Sequence, residues 1–164
     1  MARTFRIDGL NVTLHNSRRF IRIYDMNERI FFKSPEDTQR FGIQLAEGLK
    51  PGSVIALTGD LGAGKTALTK AIAKGLGISE QISSPTFTIV QEYEDGRMPL
   101  YHFDVYRVND EEDLFELGFE SYLSGSGVCV IEWADLIEEL LPEDTIRIHL
   151  SYGEGEEERI CEIA

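Results

Sequence analysis

The sequence predicts an α/β fold: a central, mainly parallel sheet flanked by helices, with antiparallel hairpin additions. Three observations predict it. Apolar runs at 53–58 and 127–132 have the length and composition of strands buried on both faces. Apolar residues at helical spacing, such as Phe41, Leu45, Ala46 and Leu49, precede the first run. A glycine-rich segment, Gly59-Asp60-Leu61-Gly62-Ala63-Gly64-Lys65-Thr66, joins that run to a second helical pattern.

The elements follow in order. Residues 29–33 read as a short strand, and Ser34-Pro35-Glu36-Asp37 as a helix start: a capping residue, a proline in the first turn, then acids at the positive end. Pro51-Gly52 ends that helix. After the glycine-rich segment, 65–76 read as a helix. Residues 86–94 and 100–106 read as two strands of a hairpin around Asp95-Gly96. In the second arm, alternation puts Leu100, His102 and Asp104 on one face and Tyr101, Phe103 and Val105 on the other. Asn109 is placed as the cap of an acidic helix from Asp110 onward, 134–141 as a helix stopped by Pro142, and 145–152 and 158–163 as a closing pair of strands.

The 164 residues are enough for one domain burying roughly two-thirds of its unfolded surface. No apolar run approaches the roughly 20 residues that span a bilayer, so no membrane association is expected. Cys129 and Cys161 have no partner at metal-ligand spacing, which points to buried thiols in a reducing, cytoplasmic setting. The net charge of −13 repels nucleic-acid backbones, which argues against direct DNA or RNA binding.

That charge is uneven. Residues 1–25 hold five arginines against two acids, which leaves −16 on the remaining 139 residues. The break falls at Met26, and divides the chain into an Arg-containing extension over 1–25 and a main domain over 26–164. Two readings of the extension stand: an appendage or over-long gene start with Met26 as the initiator, or an arm that docks on the acidic body.

Gly59, Gly64, Lys65 and Thr66 satisfy the phosphate-loop pattern of the P-loop NTPase fold. Glycines let the backbone curl its N–H groups around phosphates, the lysine supplies a mobile positive charge, and the threonine hydroxyl binds magnesium. The chain is therefore expected to hold Mg-ATP. Magnesium needs further hard oxygens, and an attacking water needs a polar group to orient it. Glu132 closes the apolar run Val128-Cys129-Val130-Ile131, where a bare carboxylate is costly unless it coordinates or pairs. Asp104 is the second candidate, its competing role being a salt bridge with Arg107. His102 is either a site residue or a satisfied core histidine. Ser83-Ser84-Pro85-Thr86 is either an ordinary turn or a switch in which Thr86 senses the γ-phosphate. Trp133, next to Glu132, is expected near the nucleotide, packed into the core, or both.

Neither an Asn-Lys-x-Asp nor an Asp-x-x-Gly string occurs, which argues against a guanine-specific switch. No lysine follows Lys74, and only Arg97, Arg107, Arg147 and Arg159 remain, which is thin for a kinase lid. Hydrolysis of ATP coupled to a conformational change is the expectation. A binding module without turnover and a small-molecule kinase, with Arg97 or Arg107 on a phosphate, are the alternatives.

Four motifs in order, Gly-Asp-Leu-Gly-Ala-Gly-Lys-Thr (59–66), Ser-Pro-Thr-Phe-Thr (84–88), Tyr-His-Phe-Asp-Val-Tyr-Arg (101–107) and Ile-Glu-Trp (131–133), resemble the bacterial TsaE family over residues 28–164. Asp60, Leu61 and Ala63 fill the loop's variable positions as in that family, as does Glu-Leu-Gly-Phe at 116–119. The resemblance implies the ATPase of the tRNA threonylcarbamoyladenosine pathway, weak alone and needed for multiple turnover of a modification beside the anticodon. It implies two partners of the actin-like fold, and contact with tRNA only through them. It assigns phosphate and magnesium to Lys65 and Thr66, a magnesium-side carboxylate to Glu132, the second essential acid to Asp104 and the switch to Thr86. Thr38, on the first helix, matches a family position on the base side of the nucleotide. Family members commonly begin near Met26, so the extension is atypical.

Overall fold

The computed structural model describes residues 2–7, 10–17, 20–23 and 28–164, with backbone alone through Glu28. Strands β1 (Ala2–Ile7), β2 (Leu10–Ser17) and β3 (Phe20–Ile23) form a three-stranded antiparallel sheet of their own. Met26, where the composition breaks, lies outside the described residues.

The main body is built on seven strands. These are β4 (Glu28–Phe32), β5 (Val54–Thr58), β6 (Val90–Tyr93), β7 (Leu100–Asp104), β8 (Val128–Glu132), β9 (Ile146–Tyr152) and β10 (Arg159–Ile163), in the order β4-β10-β9-β5-β8-β7-β6. The four central strands, β9, β5, β8 and β7, run parallel, and antiparallel strands are added at both sides. The expected mixed α/β architecture is the one observed.

Alternation along the central strands sorts side chains between two cores. Ile55, Leu57, Leu100, Val128 and Val130 pack with helices α1 (Pro35–Gly48) and α2 (Lys65–Gly75). Val54, Ala56, Phe103, Cys129 and Ile131 pack on the other face with α3 (Glu111–Glu116), α4 (Phe119–Leu123) and a 310 helix over Ala134–Leu140. Each strand is thus apolar on both sides, which is why it reads as a continuous hydrophobic run. By the same alternation His102, Asp104 and Glu132 fall on the α1/α2 side, toward the start of α2.

Three boundaries differ from expectation. The stretch before Val90 is a turn rather than a strand: Ile89 takes a left-handed conformation (φ 67°) and its N–H bonds the carbonyl of Pro85 at 2.9 Å. The acidic helix is capped by Asp110, whose carboxylate accepts from the N–H of Asp113, while Asn109 donates its own N–H to Asp113. This reciprocal pairing satisfies two donors at once, so the cap sits one residue later than Asn109. The segment after Trp133 is a 310 helix broken at Ile137 (φ −130°, ψ 25°) rather than an α-helix.

Both cysteines are free and buried, and burial pushes each thiol up to about 12. The thiolate is the reactive form. Neither thiol should react appreciably with a water-soluble disulfide reagent at pH 8 in the folded protein, while both should react once it is unfolded. Rapid labelling of the native protein would contradict this packing.

Candidate functional site

The site lies where connections diverge. From β5 the chain passes through α2 toward the β7 side, whereas from β8 it passes through the 310 helix toward β9, on the far side of β5. The crevice at the carboxyl ends of two such neighbouring strands is the place where open α/β sheets bind ligands. Here the glycine-rich loop leaves β5 and Glu132 ends β8.

Three glycines in the loop carry positive φ: Gly59 (137°), Gly62 (80°) and Gly64 (108°). Gly59 admits no side chain, since a Cβ there would lie 2.2 Å from the carbonyl oxygen of Leu150. Two residues from the last strands brace the loop from behind. The Tyr152 hydroxyl donates to the carbonyl of Leu61 (2.5 Å), and the Arg159 guanidinium donates to that of Gly62 (3.3 Å).

In front of the loop is a cavity of about 520 Å³, lined by the loop, the start of α2, the turn at Ser84 and Thr86, and the ends of β7 and β8. Lys65, Thr66 and Ala67 line it from the first turn of α2, where backbone N–H groups have no intrahelical acceptor and the helix dipole favours an anion. Lys65 Nζ donates to the carbonyls of Gly59 (2.5 Å) and Asp60 (2.9 Å) and sits 3.9 Å from the centre of the Trp133 ring. Burial lowers its pKa below the usual lysine value, while the carboxylates of Glu132 and Asp104 pull it back up. Trp133 adopts a left-handed conformation (φ 62°) and packs against the Tyr106 ring, centroids 4.8 Å apart.

The Thr66 hydroxyl donates to Glu132, 2.9 Å from Oε1 and 3.1 Å from Oε2. His102 Nε2 lies 2.8 Å from the same Oε1. Asp104 is paired with Glu132 across the parallel ladder and is likewise buried. Its Oδ2 accepts from the hydroxyls of Ser84 (3.0 Å) and Thr86 (3.3 Å), and its Oδ1 from the N–H of Tyr106 (3.1 Å). Arg107 does not take up the salt bridge considered for Asp104: its guanidinium stacks over the exposed ring of Phe87.

Leu61, Gly62, Gly64, Lys65, Thr66, Thr86, Asp104, Glu132 and Trp133 thus surround one cavity. Gly59, Asp60 and Ala63 shape the loop without lining it. Thr38 is buried on α1 and is not among the lining residues. Of the two arginines considered for a phosphate, Arg107 lines the cavity, whereas Arg97 donates to the carbonyl of Ala46. Sequence reasoning gave no role to Tyr106, which the 101–107 motif contains and which stands at the cavity wall, and missed the Tyr152 and Arg159 braces, which no local pattern marks.

The oxygens of Thr66 and Glu132, with Asp104 nearby, fit a small hard cation. Among the described residues no group of three or more His, Cys, Asp or Glu could hold a metal ion unaided. An ion here would complete its shell with water and ligand oxygens, as magnesium ordinarily does.

Fold and site define a class: a mixed seven-stranded α/β protein whose glycine-rich strand-to-helix loop faces two buried carboxylates across a cavity. The family model described as threonylcarbamoyl adenosine biosynthesis protein TsaE matches residues 32–161, and the chain belongs to that family. It is 51% identical over 126 residues to the tRNA threonylcarbamoyladenosine biosynthesis protein TsaE of Bacillus subtilis, covering 77% of this chain and 78% of that protein. It is 48% identical over 122 residues to the protein of the same name from Treponema pallidum, covering 74% and 90%. The crystal structure of YdiB from Bacillus subtilis superposes with a TM-score of 0.71 at 43% identity, covering 85% of this chain and 88% of that one. No helix among the described residues is long and apolar enough to cross a membrane.

Proposed function

We propose that this chain is a magnesium-dependent ATPase of the P-loop class that serves the threonylcarbamoyl modification of the tRNA adenosine next to the anticodon. It acts in the cytoplasm with two partner proteins of the actin-like fold, and meets tRNA only through them. The observation that carries the reading is the Thr66–Glu132 contact at the mouth of the glycine-rich loop, with Lys65 held beside it. The family's relatives named for threonylcarbamoyladenosine biosynthesis support the pathway.

The chemistry follows from the side chains. The loop and the first turn of α2 hold the phosphates on backbone N–H groups. Lys65, set against two carbonyls and an aromatic face, exchanges those contacts for phosphate oxygens and stabilises charge as the β–γ bond breaks. Thr66 and Glu132 would hold magnesium, which supplies neutralisation of the phosphate charge. Asp104, held by the hydroxyls of Ser84 and Thr86, would face the γ-phosphate, and through those bonds the turn at 84–86 would respond to its loss. Trp133 closes one wall, and Thr38 is assigned to the base side from α1. Water attacks the γ-phosphorus, and ADP and phosphate leave.

Steady-state phosphate release from ATP, measured alone and with the partner pair, tests this. Slow release alone, stimulated by the partners and lost in Lys65→Ala, is the expected result. Labelled phosphate appearing on a metabolite would favour a kinase, and binding without release under any condition would favour a nucleotide-holding module.

A further inference from the structure

His102 is a fully buried polar side chain that the chemistry above does not use. It sits in the middle of β7, opposite Val130 of β8, and is not among the residues lining the cavity. Its Nε2 reaches diagonally to Glu132 Oε1 at 2.8 Å, and its Nδ1 has no hydrogen-bond partner. A buried imidazole whose one partner is a carboxylate makes that bond by donating from Nε2, since an ionised carboxylate only accepts.

We propose that His102 is the positioning residue for Glu132: its Nε2–H pins Oε1 and so fixes the plane of the carboxylate against Thr66. Oε1 accepts from both His102 and Thr66, while Oε2 receives the longer Thr66 contact. Thr66 alone, bonded nearly equally to the two oxygens, cannot set that plane, because the carboxylate can turn about its last bond and keep the contact. The second donor, from a rigid ring in an interior strand, removes this freedom. Groups that orient a metal ligand from behind typically change metal affinity or activity by about 10- to 100-fold when removed. The inference rests on the proposed role of Glu132 as a magnesium-side ligand; the His102–Glu132 bond itself does not.

The test has two arms. In the protein without nucleotide or metal, the imidazole N–H of His102 should give a slowly exchanging proton resonance that shifts in Glu132→Gln. In the ADP complex, titration calorimetry with magnesium should show about tenfold weaker metal binding in His102→Leu, with metal-free ADP binding unchanged within about twofold. His102→Gln, whose amide can donate to the same oxygen, should recover most of the loss, and melting midpoints should establish that each variant is folded. If the leucine variant does not fold, His102→Gln against the shorter His102→Asn carries the same comparison.

Unchanged magnesium affinity in folded His102→Leu, or glutamine no better than leucine, would overturn the proposal. So would an equal fall in metal-free ADP binding, which a merely structural role would produce. A wild-type ADP complex that takes up no magnesium would overturn the proposed function, and the resonance in the first arm would separate that failure from absence of the His102–Glu132 bond.

Discussion

Glu132→Ala should lower the rate of phosphate release from ATP by at least about 100-fold, a loss in the range found when one charge-stabilising group is removed from a preorganised site. The geometry gives three reasons for so large an effect. Thr66 loses the acceptor of its hydroxyl, His102 keeps a buried Nε2–H with nothing to receive it, and Lys65 loses the carboxylate that does most to hold up its pKa. The last consequence has a sign. Burial already disfavours the lysine ammonium, and without the Glu132 charge its pKa falls further. Nucleotide binding should suffer less than turnover, because the N–H groups of the loop and of α2 remain. Turnover within about threefold of wild type would remove Glu132 from the chemistry.

Gly59→Ala should destabilise the fold by roughly 3–5 kcal/mol. The added Cβ would meet the Leu150 carbonyl oxygen at 2.2 Å, and that atom belongs to β9, held between β5 and β10 and unable to move aside cheaply. Overpacking of this kind costs about 1–3 kcal/mol, and a non-glycine residue in a disfavoured backbone region costs a similar amount again. For a chain of this length each kcal/mol lowers the melting temperature by about 2–4 °C, so a drop near 10 °C is expected by calorimetry. A loss under about 1 kcal/mol would mean the loop can shift away from β9.

The central strands and the glycine-rich loop between β5 and α2 were legible because their signals are local. A short apolar run, a glycine spacing and an acid ending a strand are each contained within about ten positions of sequence. Alternation even placed His102 and Asp104 on one face before Glu132 was seen to share it. The stretch at 86–89 departs from the expected strand for a physical reason. Thr-Phe-Thr-Ile has strand composition, but Ser84 and Thr86 give their hydroxyls to Asp104 and the backbone turns at Ile89. A side chain eighteen to twenty residues away decided the local structure. The braces from Tyr152 and Arg159 were illegible for the same reason on a longer scale: each acts across more than ninety residues of chain. The strands over residues 2–23 pair only with one another among the described residues.

Those two braces tie the loop's shape to the order in which the chain is made. The glycine-rich segment is made more than ninety residues before the tyrosine and arginine that support Leu61 and Gly62, and the carbonyl against which Gly59 is fitted lies at position 150. A nascent chain still held at its last strands has the loop's sequence without its backing. The loop has its full backing only when β9 and β10 are both in the sheet.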